Sequence, residues 1–486
     1  MIRAVVTLLS VLAVSAAPAQ DLRHYSPAQA DSIMVDFHEA IVTYHPAAFR
    51  GDTRQRLDTA LAGVRERLAR RAPTDSLTMA AVIAAGVPFR DVLGDGHFQL
   101  RPVQTPAFRK ARDSSQYTLP LARDSDDLLY LRDSVTLRDS TVLPKGALVT
   151  HLDGHDVQDL INEVSAIGGV DDHALRHARE FYSAHHLPEF YQRVYGYRDS
   201  LRLGYEIEGV ENVGWLYPDT VAAKEERPGY LRRVVTRGKR RRARLAESIY
   251  LDTTEVPGVY HLPVRSFSNG VLGGANPYRR LRRLFRELGE AGATGLIVDV
   301  RGNTGGSADL VDHLYGFLAT ERFTMLDSMT ATTKRAVGKN VIGRTGNRVF
   351  GGTRGRNGDY RRRWAGKPVK PKRRHRFDGD VVVLTNELTF SGGSTLAHYV
   401  KHYGRGELVG QVPGGSAERM YAGDLFEIKI GPEDEFRVNM PLWYMDMVGD
   451  AKGNVQPDVV VERTRERVLS EEDDTLAAAL ELLQAE

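Results

Sequence analysis

The sequence predicts an α/β protein with a mainly parallel β-sheet, preceded by a helical segment. Short apolar runs at Gly295–Val300 and Val381–Leu384 are typical of strands buried on both faces. Each run leads through a glycine-rich turn into a helical pattern, at Ala308–Leu318 and Thr395–His402. Alternation of strand, turn and helix indicates a parallel sheet, because parallel strands need long crossover connections.

The residues before this sheet, 20–110, are predicted to be mostly helical. Ser26 precedes a proline, the usual N-cap and N1 pair, and apolar side chains then recur at four-residue spacing over Ile33–Ile41. A second helical pattern covers Ser76–Leu93. A long N-terminal helical segment therefore leads into the rest of the chain.

Residues 111–215 are predicted to form a module of strands and helices. Tyr117–Leu143 contains short alternating runs separated by Asp-Ser turns, and Lys145–His155 has the pattern of turn, strand and tight turn. The tight turn is assigned to Asp153-Gly154, and a helix to Val157–Val164.

The sheet region is assigned to residues 246–465, followed by a C-terminal helix over 466–486. Leu408–Gly410 is predicted to be a third buried strand. Asn276 and a following proline cap a further helix. Its predicted apolar face consists of Leu281, Leu284, Phe285 and Leu288.

Composition excludes several classes of function. The 66 basic and 63 acidic residues give a net charge of only +3, so there is no general case for nucleic-acid binding. The basic runs Arg232–Arg244 and Arg361–Arg376 are interpreted as solvated loops, with contact to an anionic surface as the alternative. Cysteine is absent, which excludes disulfides, thiolate metal sites and a cysteine nucleophile. No metal-protease or nucleotide fingerprint occurs, so we expect no metal and no other cofactor.

The first 19 residues have the pattern of a signal peptide. Arg3 provides the positive n-region, Ala4–Val14 is an apolar stretch of h-region length, and Ala17-Pro18-Ala19 fits the cleavage rule. The apolar stretch is shorter than the ~20 residues of a membrane span. We therefore predict a secreted or periplasmic bacterial protein with no transmembrane segment after the signal is removed.

The strongest chemical signal is the turn Thr389–Ser394 between a buried strand and a helix. A serine at Ser391 would present its hydroxyl at the sheet edge, beside backbone N–H groups at a helix N-terminus. Such N–H groups can stabilise the oxyanion that forms when a hydroxyl attacks a carbonyl. The alternative interpretation is a capping serine in a glycine-rich turn.

Two further segments have the residues that such chemistry needs. Asp299–Gly306 also follows a buried strand, and its paired glycines could supply a second N–H to the oxyanion. Leu93–Phe98 contains His97, and histidine is the usual base for a serine nucleophile. With 15 histidines in the chain, residue chemistry alone does not single out His97.

Together these segments resemble peptidase family S41, the tail-specific or C-terminal processing proteases. The family's D-x-R-x-N-x-G-G motif is matched by Asp299–Gly306, its T-x-S-[AG] turn by Thr389–Gly392, and its terminal P-D-hydrophobic motif by Pro457–Val459. The resemblance implies a ClpP/crotonase-like protease fold and a serine endopeptidase that acts on peptides or unfolded protein tails. Lys145–Gly154 also resembles part of a PDZ domain, so a degenerate PDZ-like module is expected.

The resemblance further implies which catalytic style the chain uses. The Ser-Lys style places a lysine and a glutamine where this sequence has Ser416 and Met420, so that style is disfavoured. The tricorn-like style instead implies Ser391 as nucleophile and His97 as base. In that style Gly96 departs from the usual serine before the histidine.

The same resemblance implies the supporting groups. The amides of Gly392 and of Gly305 or Gly306 would form the oxyanion hole. Asp450 lies next to the position of the family's glutamate and is the first choice to orient His97. The alternatives are Asp95 and Asp446, and the incomplete match keeps a non-catalytic binding protein for peptides or hydrophobic ligands as a second hypothesis.

Overall fold

The computed structural model describes residues 24–103, 117, 119–165, 184, 187–196, 198–218, 245–268, 272, 276–332, 352–354, 360–362 and 364–485. The predicted signal peptide, residues 1–19, and the basic run Arg232–Arg244 lie outside the described residues. None of the described helices is both long enough and apolar enough to span a membrane.

The N-terminal part is mainly helical, as predicted. Its elements are β1 (His24–Tyr25), α1 (Pro27–Tyr44), a 3-10 turn (Pro46–Phe49), α2 (Thr53–Ala69), β2 (Leu77–Thr78), α3 (Met79–Ala85), α4 (Val87–Leu93) and β3 (Gln99–Pro102). The predicted N-cap is confirmed, because Ser26 and Gln29 form a reciprocal capping box. Ile33, Phe37 and Ile41 are fully buried, so the four-residue spacing marks the face of α1 that packs.

The single helical pattern predicted over Ser76–Leu93 is divided in the structure. A short strand comes first, and the helix then breaks at Gly86 between α3 and α4. Pro88 lacks an N–H, so it cannot donate the backbone hydrogen bond that would continue α3 into α4 as one helix. A Cβ on Gly86 would lie 2.9 Å from the Phe37 ring, so the break also brings the backbone close to α1.

The middle part forms an antiparallel sheet of its own with two helices. Its elements are β4 (Leu121–Arg123), β5 (Leu129–Leu131), β6 (Val135–Thr136), β7 (Val142–Leu143), β8 (Leu148–Leu152), β9 (His155–Asp156), α5 (Val157–Ser165), α6 (Leu187–Tyr195), β10 (Leu201–Ile207) and β11 (Val210–Leu216). The strand order is β11-β10-β8-β5-β4, with β9 paired to β8. The predicted tight turn is present, since Asp153 and Gly154 both have positive φ, 51° and 86°. A separate hydrophobic cluster fills this part.

The remaining elements build two sheets and the helices around them. They are β12 (Asp252–Thr253), β13 (Val259–Pro263), α7 (Pro277–Glu290), β14 (Gly295–Asp299), α8 (Ala308–Leu318), β15 (Leu326–Ala331), β16 (Gly352–Arg354), β17 (Tyr360–Arg362), β18 (Asp380–Thr385), α9 (Gly392–His402), β19 (Glu407–Gly410), β20 (Arg419–Ile430), β21 (Phe436–Met447), β22 (Val459–Val460), α10 (Arg465–Leu469) and α11 (Asp474–Ala485). The first sheet has the order β12-β13-β14-β18-β19-β22. All its pairs except β12–β13 are parallel, which confirms the predicted mainly parallel sheet.

Both faces of the parallel sheet are covered, which explains its unbroken apolar strands. Leu296 and Val298 of β14 point into the cluster that contains α7, α8 and α9. Ile297 between them points into the opposite cluster, which contains Leu480 of α11. Side chains alternate along a strand, so a strand covered on both sides must be apolar at every position. The predicted C-terminal helix therefore packs on one face of the parallel sheet.

The second sheet is antiparallel and was not predicted. Its order is β16-β17-β15-β21-β20, and β3 from the N-terminal part pairs with β21. The register places Gln99 opposite Asn439 and Pro102 opposite Phe436. The N-terminal helices share a hydrophobic cluster with β20 and β21. Through this pairing the N-terminal part packs against the sheet region, which includes the turn Thr389–Ser394.

One buried carboxyl makes this core less stable at neutral pH than it could be. Asp312 lies on α8, and burial together with the charge of Asp309 raises its pKa to about 8. A folded-state pKa above the unfolded value of 3.8 means that stability is lost as the pH rises from about 4 through about 8.

We therefore expect Asp312→Asn to stabilise the protein increasingly over that range. The gain should grow to at most about 6 kcal/mol near pH 8, because the pKa is raised by about four units and each unit is worth about 1.4 kcal/mol. Thermal unfolding of the parent and of Asp312→Asn at pH 4.5, 6, 7 and 8.5 measures the gain. The comparison of the two proteins at pH 4.5 is the internal control. A parent and variant whose melting temperatures differ equally at every pH would contradict this expectation.

Candidate active site

The nucleophile turn links β18 to α9 and holds Ser391 in a strained conformation. Ser391 is the N-cap of α9 with φ 51° and ψ −120°, a combination that costs a non-glycine residue about 1–3 kcal/mol. The helix was predicted to begin near Thr395, but it begins at Gly392. The earlier start places Ser391 directly at the helix N-terminus.

Hydrogen bonds around the turn maintain this conformation. The Thr389 hydroxyl donates to the Val300 carbonyl, 2.9 Å away, and the Ser394 hydroxyl donates to the Thr389 carbonyl, also at 2.9 Å. The Phe390 N–H donates to the Asn303 carbonyl at 2.9 Å. The turn is thus tied to the loop that follows β14, the other glycine-rich loop of the sheet edge.

The glycines of that second loop lie against Ser391. A Cβ on Gly305 would lie 2.6 Å from Ser391 Cβ and 2.9 Å from its Oγ, so only glycine fits there. The Gly305 N–H donates to Asn303 Oδ1 at 2.8 Å, which removes it from the predicted pair of oxyanion donors. Within the described residues, the N–H groups of Gly392 and Gly306 have no hydrogen-bond acceptor. These two amides can therefore bind a developing oxyanion.

The structure brings His97 to Ser391. The two residues are 294 positions apart in the sequence, yet His97 Nε2 lies 3.2 Å from Ser391 Oγ. The imidazole packs on the Phe390 ring, with 4.7 Å between ring centroids. Gly94, which has φ 59°, ends α4 and turns the chain, and the pairing of β3 with β21 then fixes the segment.

Asp95 is the carboxylate beside His97. His97 Nδ1 lies 3.5 Å from Asp95 Oδ1, and the His97 backbone N–H donates to the same oxygen at 2.8 Å. Burial alone would raise the pKa of Asp95, but hydrogen bonds from His45 and His97 outweigh it and lower the pKa to about 2. Asp95 is therefore ionised at neutral pH although it is buried.

The structure does not bring the other two predicted carboxylates to the imidazole. Asp450 is exposed in the loop after β21, beyond a turn at Gly449 with φ 87°. Asp446 accepts a hydrogen bond from the Ser328 hydroxyl across the β15–β21 pair. The first choice, Asp450, is thus separated from His97 because the chain turns toward solvent at Gly449, and Asp95 occupies that position.

Met420, which stands at the place of the glutamine of the Ser-Lys style, lies beside Ser391. Its sulfur is 3.9 Å from Ser391 Oγ, and the side chain reaches the turn from β20. Ser416 instead donates its hydroxyl to the Gly453 carbonyl at 3.1 Å. Neither side chain can accept a proton from a hydroxyl at neutral pH, whereas the His97 imidazole, which contacts Ser391 Oγ, can.

Sequence reasoning missed His45, the second imidazole on Asp95. His45 is completely buried, and its Nε2 lies 2.9 Å from Asp95 Oδ2. The only local signal is its position before a proline at the end of an amphipathic helix, which is shared with structural histidines.

Among the described residues, no group of three or more histidine, aspartate or glutamate side chains could hold a metal ion.

Comparison with known proteins agrees with the sequence motifs. Residues 261–461 match the sequence model of peptidase family S41. Mature CPAF is 13% identical and aligns with 94% of this chain and 96% of its own, at a TM-score of 0.59. CPAF complexed with lactacystin is 14% identical and aligns with 94% of this chain and 97% of its own, at a TM-score of 0.60. The photosystem II D1 C-terminal processing protease is 15% identical and aligns with 91% of this chain and 97% of its own, at a TM-score of 0.40.

No curated protein sequence matches the chain significantly. The CPAF structures share the fold across nearly the whole chain, at identities too low to carry more than the fold. The family match covers β14, the nucleophile turn and α9, which contain the motifs that predicted it. Residues 261–461 of this chain thus form a peptidase family S41 region, which makes the chain a serine-type peptidase.

Proposed function

We propose that this chain is an exported serine endopeptidase that cleaves peptides or protein tails through an acyl-enzyme on Ser391, with His97 as the base. The observation that carries the proposal is the 3.2 Å contact between His97 Nε2 and Ser391 Oγ. A hydroxyl is a weak nucleophile at neutral pH and needs a base within hydrogen-bond reach.

The first half of the reaction forms the acyl-enzyme. Ser391 Oγ attacks the carbonyl carbon of the scissile bond while its proton moves to His97 Nε2. The carbonyl oxygen becomes an oxyanion and accepts hydrogen bonds from the Gly392 and Gly306 N–H groups. The new imidazolium is stabilised by the ionised Asp95, and it then gives its proton to the leaving amine as the C–N bond breaks.

The second half returns the enzyme to its starting state. His97 takes a proton from a water molecule, and the water oxygen attacks the acyl carbon through a second oxyanion. The proton then passes to Ser391 Oγ as the ester bond breaks and the new carboxylate leaves. The strained position of Ser391 and the donors at the start of α9 are present before substrate binds, so little reorganisation is needed.

Export rests on the sequence of the first 19 residues. Their positive start, apolar stretch and Ala17-Pro18-Ala19 site support a cleaved signal peptide and a secreted or periplasmic location. Substrates would then be peptides or unfolded protein tails outside the cytoplasm.

A fluorophosphonate probe tests the proposed site directly. We expect the parent protein to be labelled on Ser391, identified by peptide mapping, because an activated serine oxygen displaces fluoride from phosphorus. His97→Ala should slow labelling by about 10²–10⁴-fold, the usual contribution of a general base. Circular dichroism of both proteins controls for folding.

Two outcomes would contradict the proposal. Folded parent protein that stays unlabelled would favour the binding-protein hypothesis for peptides or hydrophobic ligands. Labelling that persists in Ser391→Ala would mean that another nucleophile reacts.

A further inference from the structure

The position of His45 at the end of α1 decides which of its ring nitrogens donates a hydrogen bond. The residue is 0% exposed, and its Nδ1 accepts a hydrogen bond from the Ala47 backbone N–H at 3.2 Å. A nitrogen that accepts from an N–H cannot carry a proton of its own. The proton that His45 can donate in this orientation is therefore on Nε2.

That proton points at Asp95. His45 Nε2 donates to Asp95 Oδ2 at 2.9 Å, while Oδ1 of the same carboxylate faces His97. Each carboxylate oxygen thus has its own imidazole, one from the end of α1 and one from the loop before β3. The order of contacts is Ser391, His97, Asp95 and His45.

We propose that His45 is a positioning residue for catalysis, which holds the Asp95 carboxylate turned so that Oδ1 faces His97 Nδ1. The inference rests on the proposed function, since it assigns a role through Asp95 to His97. Without His45 the carboxylate would keep the contacts of Oδ1 with the His97 backbone N–H and ring, and a directed donor on Oδ2 further restricts rotation about its Cβ–Cγ bond.

The surroundings hold His45 in one orientation. Its ring packs edge-on against Phe98, with 5.5 Å between centroids, and against Tyr421 of β20 at 5.0 Å. The titratable groups that face Asp95 are His45, His97 and Tyr421; beyond Tyr421 lie Arg419 and Arg50. Burial raises the pKa of Tyr421 to about 12, so its hydroxyl stays neutral in the range where the enzyme would be assayed.

The test compares His45→Phe with His45→Gln. Phenylalanine keeps the ring but removes the donor, whereas glutamine retains an N–H donor near the position of Nε2. We expect His45→Phe to lower kcat by about 10–100-fold with little change in KM, because a hydrogen bond to a charged group contributes about 1.5–3 kcal/mol. His45→Gln should recover most of the loss.

A pH profile separates positioning from a structural role. The hydrogen bond from His45 lowers the pKa of Asp95. Its removal leaves more negative charge facing His97, so the acid limb of kcat/KM should move to higher pH in His45→Phe. Loss of folded protein alone would lower the plateau and leave the limb in place. His38→Phe is the matched control, since His38 is also on α1 and its Nε2 pairs with Asp58 Oδ1 of α2 at 2.8 Å.

Two results would overturn the inference. One is a folded His45→Phe that keeps the parental kcat and acid limb. The other is an equal loss in both His45 variants with an unmoved limb. Should His45→Phe not fold, nitrogen NMR of the parent still decides, because an Nδ1–H tautomer of His45 would overturn the inference. Absence of fluorophosphonate labelling in the parent would instead refute the proposed function.

Discussion

Ser391→Ala should lower kcat/KM for peptide hydrolysis by about 10⁴–10⁶-fold, the range found when a serine nucleophile is removed from a triad. The expectation follows from the contact of Ser391 Oγ with His97 Nε2 and from the amides of Gly392 and Gly306 beside it. No other hydroxyl of the nucleophile turn is placed this way, since those of Thr389 and Ser394 donate to backbone carbonyls.

A quenched fluorescent peptide and an unfolded protein substrate provide the measurement. Ser470→Ala is the matched control, because Ser470 is an exposed residue at the end of α10. Cleavage by folded Ser391→Ala at the parental rate would end the case for this nucleophile.

Asp95→Asn should lower kcat/KM by about 10³–10⁴-fold, as found when the carboxylate of a serine triad becomes an amide. Oδ1 of Asp95 faces His97 Nδ1 and accepts the His97 backbone N–H, and Oδ2 accepts from His45. An amide has one oxygen for these donors, and its NH₂ group would face a donor. The charge that stabilises the imidazolium is lost as well.

The matching substitution Asp450→Asn tests which of the two carboxylates, Asp95 or Asp450, acts on His97. Sequence reasoning favoured Asp450, whereas the structure has Asp95 at the imidazole. A large loss in Asp450→Asn combined with a small loss in Asp95→Asn would reverse the assignment. The pKa of Asp95 is lowered to about 2 from 3.8, so its carboxylate contributes stability above about pH 4 that is lost as the pH falls toward 2. Rates must therefore be normalised to folded protein.

Much of the fold could be predicted from local patterns. The capping pair at Ser26, the helix after Asn276 and the strands β14, β18 and β19 lie where the sequence indicated. These features depend on spacing and on backbone chemistry that a few neighbouring residues decide. The long hairpin of β20 and β21 was missed, because one side of it packs on the N-terminal helices and the burial pattern of β21 changes along the strand: it alternates over Phe436–Met440 and is continuous from there to Met445.

The two glycine-rich loops were predictable as a pair for a related reason. Both follow buried parallel strands, and β14 pairs directly with β18. The carboxyl ends of neighbouring parallel strands lie at the same edge of a sheet, so their loops must meet. Ser391 and the glycines at 305 and 306 were therefore identified before any coordinates. The choice between the two glycine amides was not, because it depends on which one Asn303 already binds.

The sequence by itself determined the family motifs and the parallel sheet and singled out Ser391 as the candidate nucleophile, because each depends on a short contiguous stretch of chain. Only the tertiary structure decided which side chains meet Ser391. The contact between His97 and Ser391, the choice of Asp95 over Asp450 and the presence of His45 all follow from β3 pairing with β21 and α1 packing beside it. Contacts between distant segments arise from pairing and burial, and neither leaves a local pattern at the residues that it brings together.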